Sequence, residues 1–139
     1  MLPNGQYIIT NVGLDQMAGQ SPTPPTPKPI VGTDRFQVWN VSHIRDDRYF
    51  LTIHLFITRS NNNLVWSYLP PDIIGTQWIL EPTLEGDDTY SIIDSDILPG
   101  RPAHLWTLRE EDTQVALELR EGPEPGPNQI WRFQFFVGP

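Results

Sequence analysis

The sequence predicts an all-β protein, a β-trefoil built from three repeats of about four short strands each. Three observations predict it. First, three segments open alike: Gly5-Gln6-Tyr7-Ile8-Ile9-Thr10-Asn11-Val12, Asp47-Arg48-Tyr49-Phe50-Leu51-Thr52-Ile53 and Asp88-Thr89-Tyr90-Ser91-Ile92-Ile93-Asp94, with tyrosines at 7, 49 and 90. Second, the segments close alike, on Phe36-Gln37-Val38-Trp39-Asn40-Val41, Gln77-Trp78-Ile79-Leu80 and Gln129-Ile130-Trp131-Arg132-Phe133. Third, the chain is made of short β-branched and aromatic runs bounded by Gly, Pro, Asn and Asp, the pattern of strands and turns, and no long window repeats every 3.6 residues. A period of about 40 residues is the mark of a repeat architecture. The reading is one domain over 1–139, with repeats at approximately 5–45, 46–86 and 87–139.

Within the first repeat the strands are expected at 6–12, 15–20, 30–33 and 35–42. Ile30-Val31-Gly32-Thr33 recurs as Ile73-Ile74-Gly75-Thr76, which ties the first repeat to the second. Leu64-Val65-Trp66-Ser67-Tyr68-Leu69 is echoed by His104-Leu105-Trp106-Thr107-Leu108, which ties the second to the third. The charged run Arg109-Glu110-Glu111-Asp112 falls between strands and reads as a hairpin tip. The Q-x-W element at Gln37–Trp39 and Gln129–Trp131, shortened to Gln77-Trp78, is similar to that of ricin-B-like trefoils, in which the tryptophan caps the hydrophobic centre.

Composition bounds the function. The 139 residues are 38% hydrophobic and include five Trp, six Phe and four Tyr, enough for one core without staples. There is no cysteine, which excludes disulfides, zinc-thiolate sites and thiol catalysis and leans toward a reducing, cytoplasmic location. The opening Met-Leu-Pro-Asn-Gly-Gln-Tyr has neither a basic nor an apolar leader region, so no signal peptide is expected, and no apolar run is long enough to enter a membrane. With a net charge of −8 and nine scattered basic residues, no phosphate-binding stripe exists and nucleic acid is not an expected partner.

The most unusual stretch is Ser21-Pro22-Thr23-Pro24-Pro25-Thr26-Pro27-Lys28-Pro29, which falls between the second and third expected strands. Proline fixes φ and holds its neighbour extended, so this segment is expected near polyproline II with little entropy left to lose on binding. A stiff extended segment on a rigid scaffold fits a protease cleft, because proteases bind their substrates extended. The plainer alternative is that the prolines keep an exposed loop from pairing edge to edge.

A cysteine-free trefoil of this size, opening with Gly5-Gln6-Tyr7-Ile8-Ile9 and carrying a functionalised loop after its second strand, resembles the mushroom protease inhibitors: mycocypins, the cospin-like trypsin inhibitors and, closest, the cocaprins. The cocaprin resemblance implies inhibition of papain-like cysteine proteases through Ser21–Pro29, inhibition of pepsin-like aspartic proteases through a separate loop, and a homodimer. The cospin resemblance implies a trypsin-type inhibitor using Lys28, although Lys28 is followed by Pro29, which offers no scissile N–H. The mycocypin resemblance implies legumain inhibition through an asparagine between the fifth and sixth strands, here Asn61, Asn62 or Asn63. For the aspartic enzymes the candidate is the proline-rich turn Glu121-Gly122-Pro123-Glu124-Pro125-Gly126-Pro127-Asn128. Two acidic proteins repel at neutral pH, and near pH 3 the protonation of many of the 17 Asp and Glu would relieve that.

The rival reading is a ricin-B-like carbohydrate-binding lectin, with Trp66 and Tyr68 or Asp94, Asp96 and Trp106 around a sugar. Catalysis is not expected. His43, His54 and His104 lie in different repeats without metal-ligand spacing, the paired carboxylates sit at turns, and no glycine-rich phosphate loop is present, so neither metal nor cofactor is expected.

Overall fold

The computed structural model describes residues 2–22, 26–70, 74–95 and 100–136. Twelve strands follow one another: β1 Gly5–Asn11, β2 Met17–Gln20, β3 Lys28–Thr33, β4 Trp39–Arg45, β5 Arg48–Ile53, β6 Phe56–Asn61, β7 Leu64–Tyr68, β8 Trp78–Pro82, β9 Thr89–Asp94, β10 His104–Thr107, β11 Ala116–Leu119 and β12 Trp131–Phe135. Among the described residues there is no α-helix, only a single 3-10 turn at Pro127–Gln129. The chain alternates as the strand period requires: in β1, Tyr7, Ile9 and Asn11 turn inward while Gln6, Ile8 and Thr10 do not.

All strands belong to one 12-stranded antiparallel sheet. The path β1–β12–β9–β8–β5–β4 returns to β1 through the β1–β4 pairing, so the sheet closes on itself as a barrel. Closure removes the free edges that an open sheet would present. The expected trefoil of three repeats is therefore corrected to a closed β-barrel. The 40-residue echoes repeat a local strand-and-turn pattern, but the ring closes only because pairings between segments, β1–β12, β4–β5 and β8–β9, alternate with those inside them. β1 is paired along Tyr7–Asn11 with β12 at the other end of the chain, and β4 is paired with β5 from Trp39 to Arg45. No 40-residue stretch can bury its own face, and the packing unit is the whole ring.

The core fills the barrel. Trp39, Trp78, Trp106 and Trp131 are all 0% exposed, with Ile9, Leu51, Ile53, Ile92 and Phe133 around them. Trp106 stands at the centre of an aromatic cluster, edge-on to Trp39, Trp78 and Trp131 at centroid distances of 5.9, 5.3 and 5.8 Å. At the far end Tyr7 faces Trp39, Tyr49 faces Trp78 and Tyr90 faces Trp131 across strand pairs. Leu2 plugs that end, its N–H donated to the Tyr49 hydroxyl and its carbonyl accepting from the same group.

Candidate functional site

The proline loop begins where β2 ends. β2 and β3 run antiparallel from Met17↔Thr33 to Gln20↔Ile30, and the Ser21 N–H donates to the Pro29 carbonyl at 3.0 Å, extending the ladder by one rung. Pro29 has no N–H to give, and as the acceptor in that rung it needs none. Lys28 and Pro29, read from the sequence as loop residues, are thus the first residues of β3, and the connection proper is 21–27. Proline content reads as loop in one dimension. Here β7 supplies a partner strand through Lys28↔Ser67 and Pro29↔Trp66.

Two further contacts fix the loop's base. The buried Ser67 hydroxyl donates to the Lys28 carbonyl at 2.7 Å and accepts from the Gln20 side-chain amide at 2.9 Å. The Gln37 side chain grips Gln20 from the other side, accepting from its N–H at 2.9 Å and donating to its carbonyl at 3.3 Å. A Cβ at Gly19 would stand 2.7 Å from the Gln37 amide nitrogen, so a larger residue there would have to displace this clamp. Ser21 is half-buried, whereas Pro22, Thr26 and Pro27 face solvent; Thr23, Pro24 and Pro25 lie outside the described residues. Beside the loop a cleft of about 310 Å³ opens between Pro22 and Arg35. The Lys28 ammonium lies over the Phe56 ring, 5.9 Å from its centroid.

The other sequence-predicted residues go elsewhere. Asn61 ends β6, and Asn62 and Asn63 form the β6–β7 turn with φ of 54° and 61°. They are therefore not in the β5–β6 connection, which is the turn at His54 and Leu55. Left-handed backbone is what Asn tolerates best, which accounts for these two as turn residues. The turn at Glu121–Asn128 is pinned from beneath by buried Gln129, whose carbonyl oxygen accepts from the N–H groups of Glu121 (3.1 Å) and Gly126 (3.3 Å) while its amide donates to the Leu119 carbonyl. Arg109 holds Glu121 at 3.0 Å and pairs with Glu118. Gly122, Pro123 and Glu124 are exposed, Pro125 is half-buried, and Pro123–Pro125 border a cleft of about 390 Å³ with Arg120 and Leu84.

Of the sugar candidates, Trp106 is sealed in the core and Asp96 lies outside the described residues. Trp66 is half-buried in β7, paired with Pro29 and Arg59. His43 bonds the Asp46 carbonyl at 2.7 Å, His54 sits in the β5–β6 turn and His104 opens β10. Among the described residues no group of three or more His, Asp or Glu is placed to hold a metal ion. What sequence reading missed is the base of the proline loop: Gln20, Gln37 and Ser67 read as strand residues, and no local signal marks a side chain that bonds the backbone 17 or more residues away.

A protein-family model described as peptidase inhibitor I66 matches residues 1–136. Among solved structures, a proteinase inhibitor from Coprinopsis cinerea superposes with a TM-score of 0.82 at 16% identity, over 98% of this chain and 100% of that one. A salivary protein from a Culex mosquito, of the cysteine- and tryptophan-rich family, gives 0.77 at 13% identity over 98% and 96%. SeviL, solved bound to the asialo-GM1 saccharide, gives 0.69 at 14% identity over 97% and 100%. At these identities the structural likenesses speak for the fold alone. No curated protein sequence matches the chain.

Proposed function

Because the chain belongs to the peptidase inhibitor I66 family, it is a protease inhibitor and not an enzyme, and we propose that it blocks papain-like cysteine proteases by seating the β2–β3 loop in their cleft. The observation that carries this is the fixed base of the loop: Ser21, Gln20 and Lys28 are held by Pro29, Gln37 and Ser67. A segment whose ends are set before binding loses less conformational freedom on docking, and prolines at alternate positions resist cleavage. The same geometry speaks against a trypsin-type mode through Lys28. Its backbone is committed to β3, its ammonium lies over Phe56, and the following peptide nitrogen carries no hydrogen. The lectin reading loses its third-repeat platform with Trp106 in the core.

The test is residual papain activity against rising concentrations of the wild type and of a variant with 22–27 replaced by Gly and Ser of equal length. Inhibition by the wild type that is lost in the variant, with an unchanged melting curve, is the expected result. Equal inhibition by both would remove the loop from the mechanism. For pepsin-like aspartic proteases the proposed surface is the Gln129-pinned turn, and Pro123→Gly with Pro125→Gly should weaken pepsin inhibition at about pH 3 while leaving papain inhibition intact.

A further inference from the structure

Two exposed side chains near the loop carry costs that the fold does not need. Leu55 is 84% exposed and has a φ of 66°, directly after His54 at 49°. Left-handed backbone favours Gly and Asn, and a leucine there is strained as well as wetted. A two-residue hairpin turn needs positive φ at both central residues, so the turn accounts for the backbone and only the choice of leucine is left unexplained by the fold. Phe36, 61% exposed, stacks on Phe136 with centroids 5.8 Å apart, so its ring is ordered in advance. Together with Val38 and His54 they border a shallow cleft of about 410 Å³, whose lining among the described residues includes no carboxylate in a chain of net charge −8.

Gln37 lies on this cleft and also on the one beside Ser21 and Pro22, and its side chain is the clamp on Gln20. The apolar shelf and the β2–β3 loop therefore meet at Gln37. A stable protein–protein interface buries roughly 800 Å² on each partner and takes about 20–30 residues a side, more than a seven-residue loop at 21–27 supplies. The surface adjoining the loop must contribute, and the buried core of an interface is depleted of charge and enriched in aromatic side chains such as Phe36.

We propose that Phe36 and Leu55 form a second contact surface for the peptidase whose cleft receives the β2–β3 loop, meeting an apolar rim outside that cleft. The inference rests on the loop reading above. It is tested with papain as the probe, comparing wild type, Leu55→Asn, Phe36→Ser and the double variant for inhibition constant, melting temperature and solution mass. Asparagine relieves the left-handed backbone while removing the apolar side chain, so Leu55→Asn is expected to melt no lower than wild type yet inhibit about 10-fold more weakly, and the double variant about 100-fold, as loss of anchor contacts gives. Unchanged inhibition in the double variant would overturn the shelf and leave the loop reading standing. A halved solution mass with unchanged inhibition would also overturn it and assign the shelf to a second copy of the chain. A wild type that does not inhibit papain would sink the loop reading and the shelf with it.

Discussion

At the scale of single residues, the four core tryptophans look alike in the sequence and differ in one bond. Trp39 donates its indole N–H to the Ala18 carbonyl at 2.8 Å, Trp78 to the Thr58 hydroxyl at 2.8 Å and Trp131 to the Trp106 carbonyl at 3.0 Å. The Trp106 indole N–H, equally buried, has no partner among the described residues. An unpaired buried donor costs about 1–3 kcal/mol, whereas a paired one contributes. Both Trp106→Phe and Trp131→Phe lose similar volume, so the difference between them isolates the polar atom. Chemical denaturation should find Trp131→Phe the more destabilised by about 1–3 kcal/mol. Equal losses would mean that the Trp106 N–H is satisfied in solution. Trp39, Trp78 and Trp131 as core residues were legible from Q-x-W; Trp106, which has no such element, and its orphan N–H were not, because they depend on what faces each ring.

At the scale of elements, the β6–β7 hairpin and the β2–β3 loop divide the candidate residues between a tight turn and a connection braced at its base. Asn62 and Asn63 occupy a two-residue turn in left-handed backbone, where Asn-Gly is the preferred pair. Asn63→Gly is therefore expected to hold or raise the melting temperature, and Asn63→Val to cost about 1–2 kcal/mol. Neither should change papain inhibition, and a change would bring this hairpin into the interface. The sequence placed a turn here correctly from its asparagines but set it between the wrong strands. Strand count errs where a two-residue turn such as His54-Leu55 has neither Gly nor Asn to announce it. The same limit applies to Lys28 and Pro29, whose strand character comes from Ser67 and Trp66 on β7.

At the scale of the whole molecule, closure brings three tyrosines to one end of the barrel. Burial raises the phenols of Tyr7, Tyr49 and Tyr90 above their usual 10.0, and mutual proximity adds to this for Tyr7 and Tyr49, and nearby Asp88 for Tyr90. The sign follows from proton linkage. The unfolded chain gives up these protons first, so their contribution to stability is fully present below about pH 10 and is lost as pH rises through the higher folded values. The melting temperature should be insensitive to these groups up to about pH 9 and fall steeply above about pH 10. Tyr49→Phe, which removes both hydrogen bonds to Leu2, should cost about 1–2 kcal/mol at neutral pH and make the alkaline fall shallower. An unchanged alkaline slope would show that the Tyr49 phenol ionises alike folded and unfolded.

The local order of this protein is written in its neighbouring residues: all-β, short strands, Q-x-W tryptophans inward, an acidic composition and a proline-rich connection after the second strand. Those are properties of neighbouring residues, and alternation, turn chemistry and composition report them. Which strands pair, and that the unit is one closed barrel rather than three repeats, follows from the folded ring alone. The ring also decides that Lys28 and Pro29 belong to β3, and that Gln20, Gln37 and Ser67 hold the loop. Each of those depends on residues far apart in the chain, brought together when the ring shuts. A buried polar side chain then takes whatever donor or acceptor closure puts within reach, a pairing that no window of sequence contains.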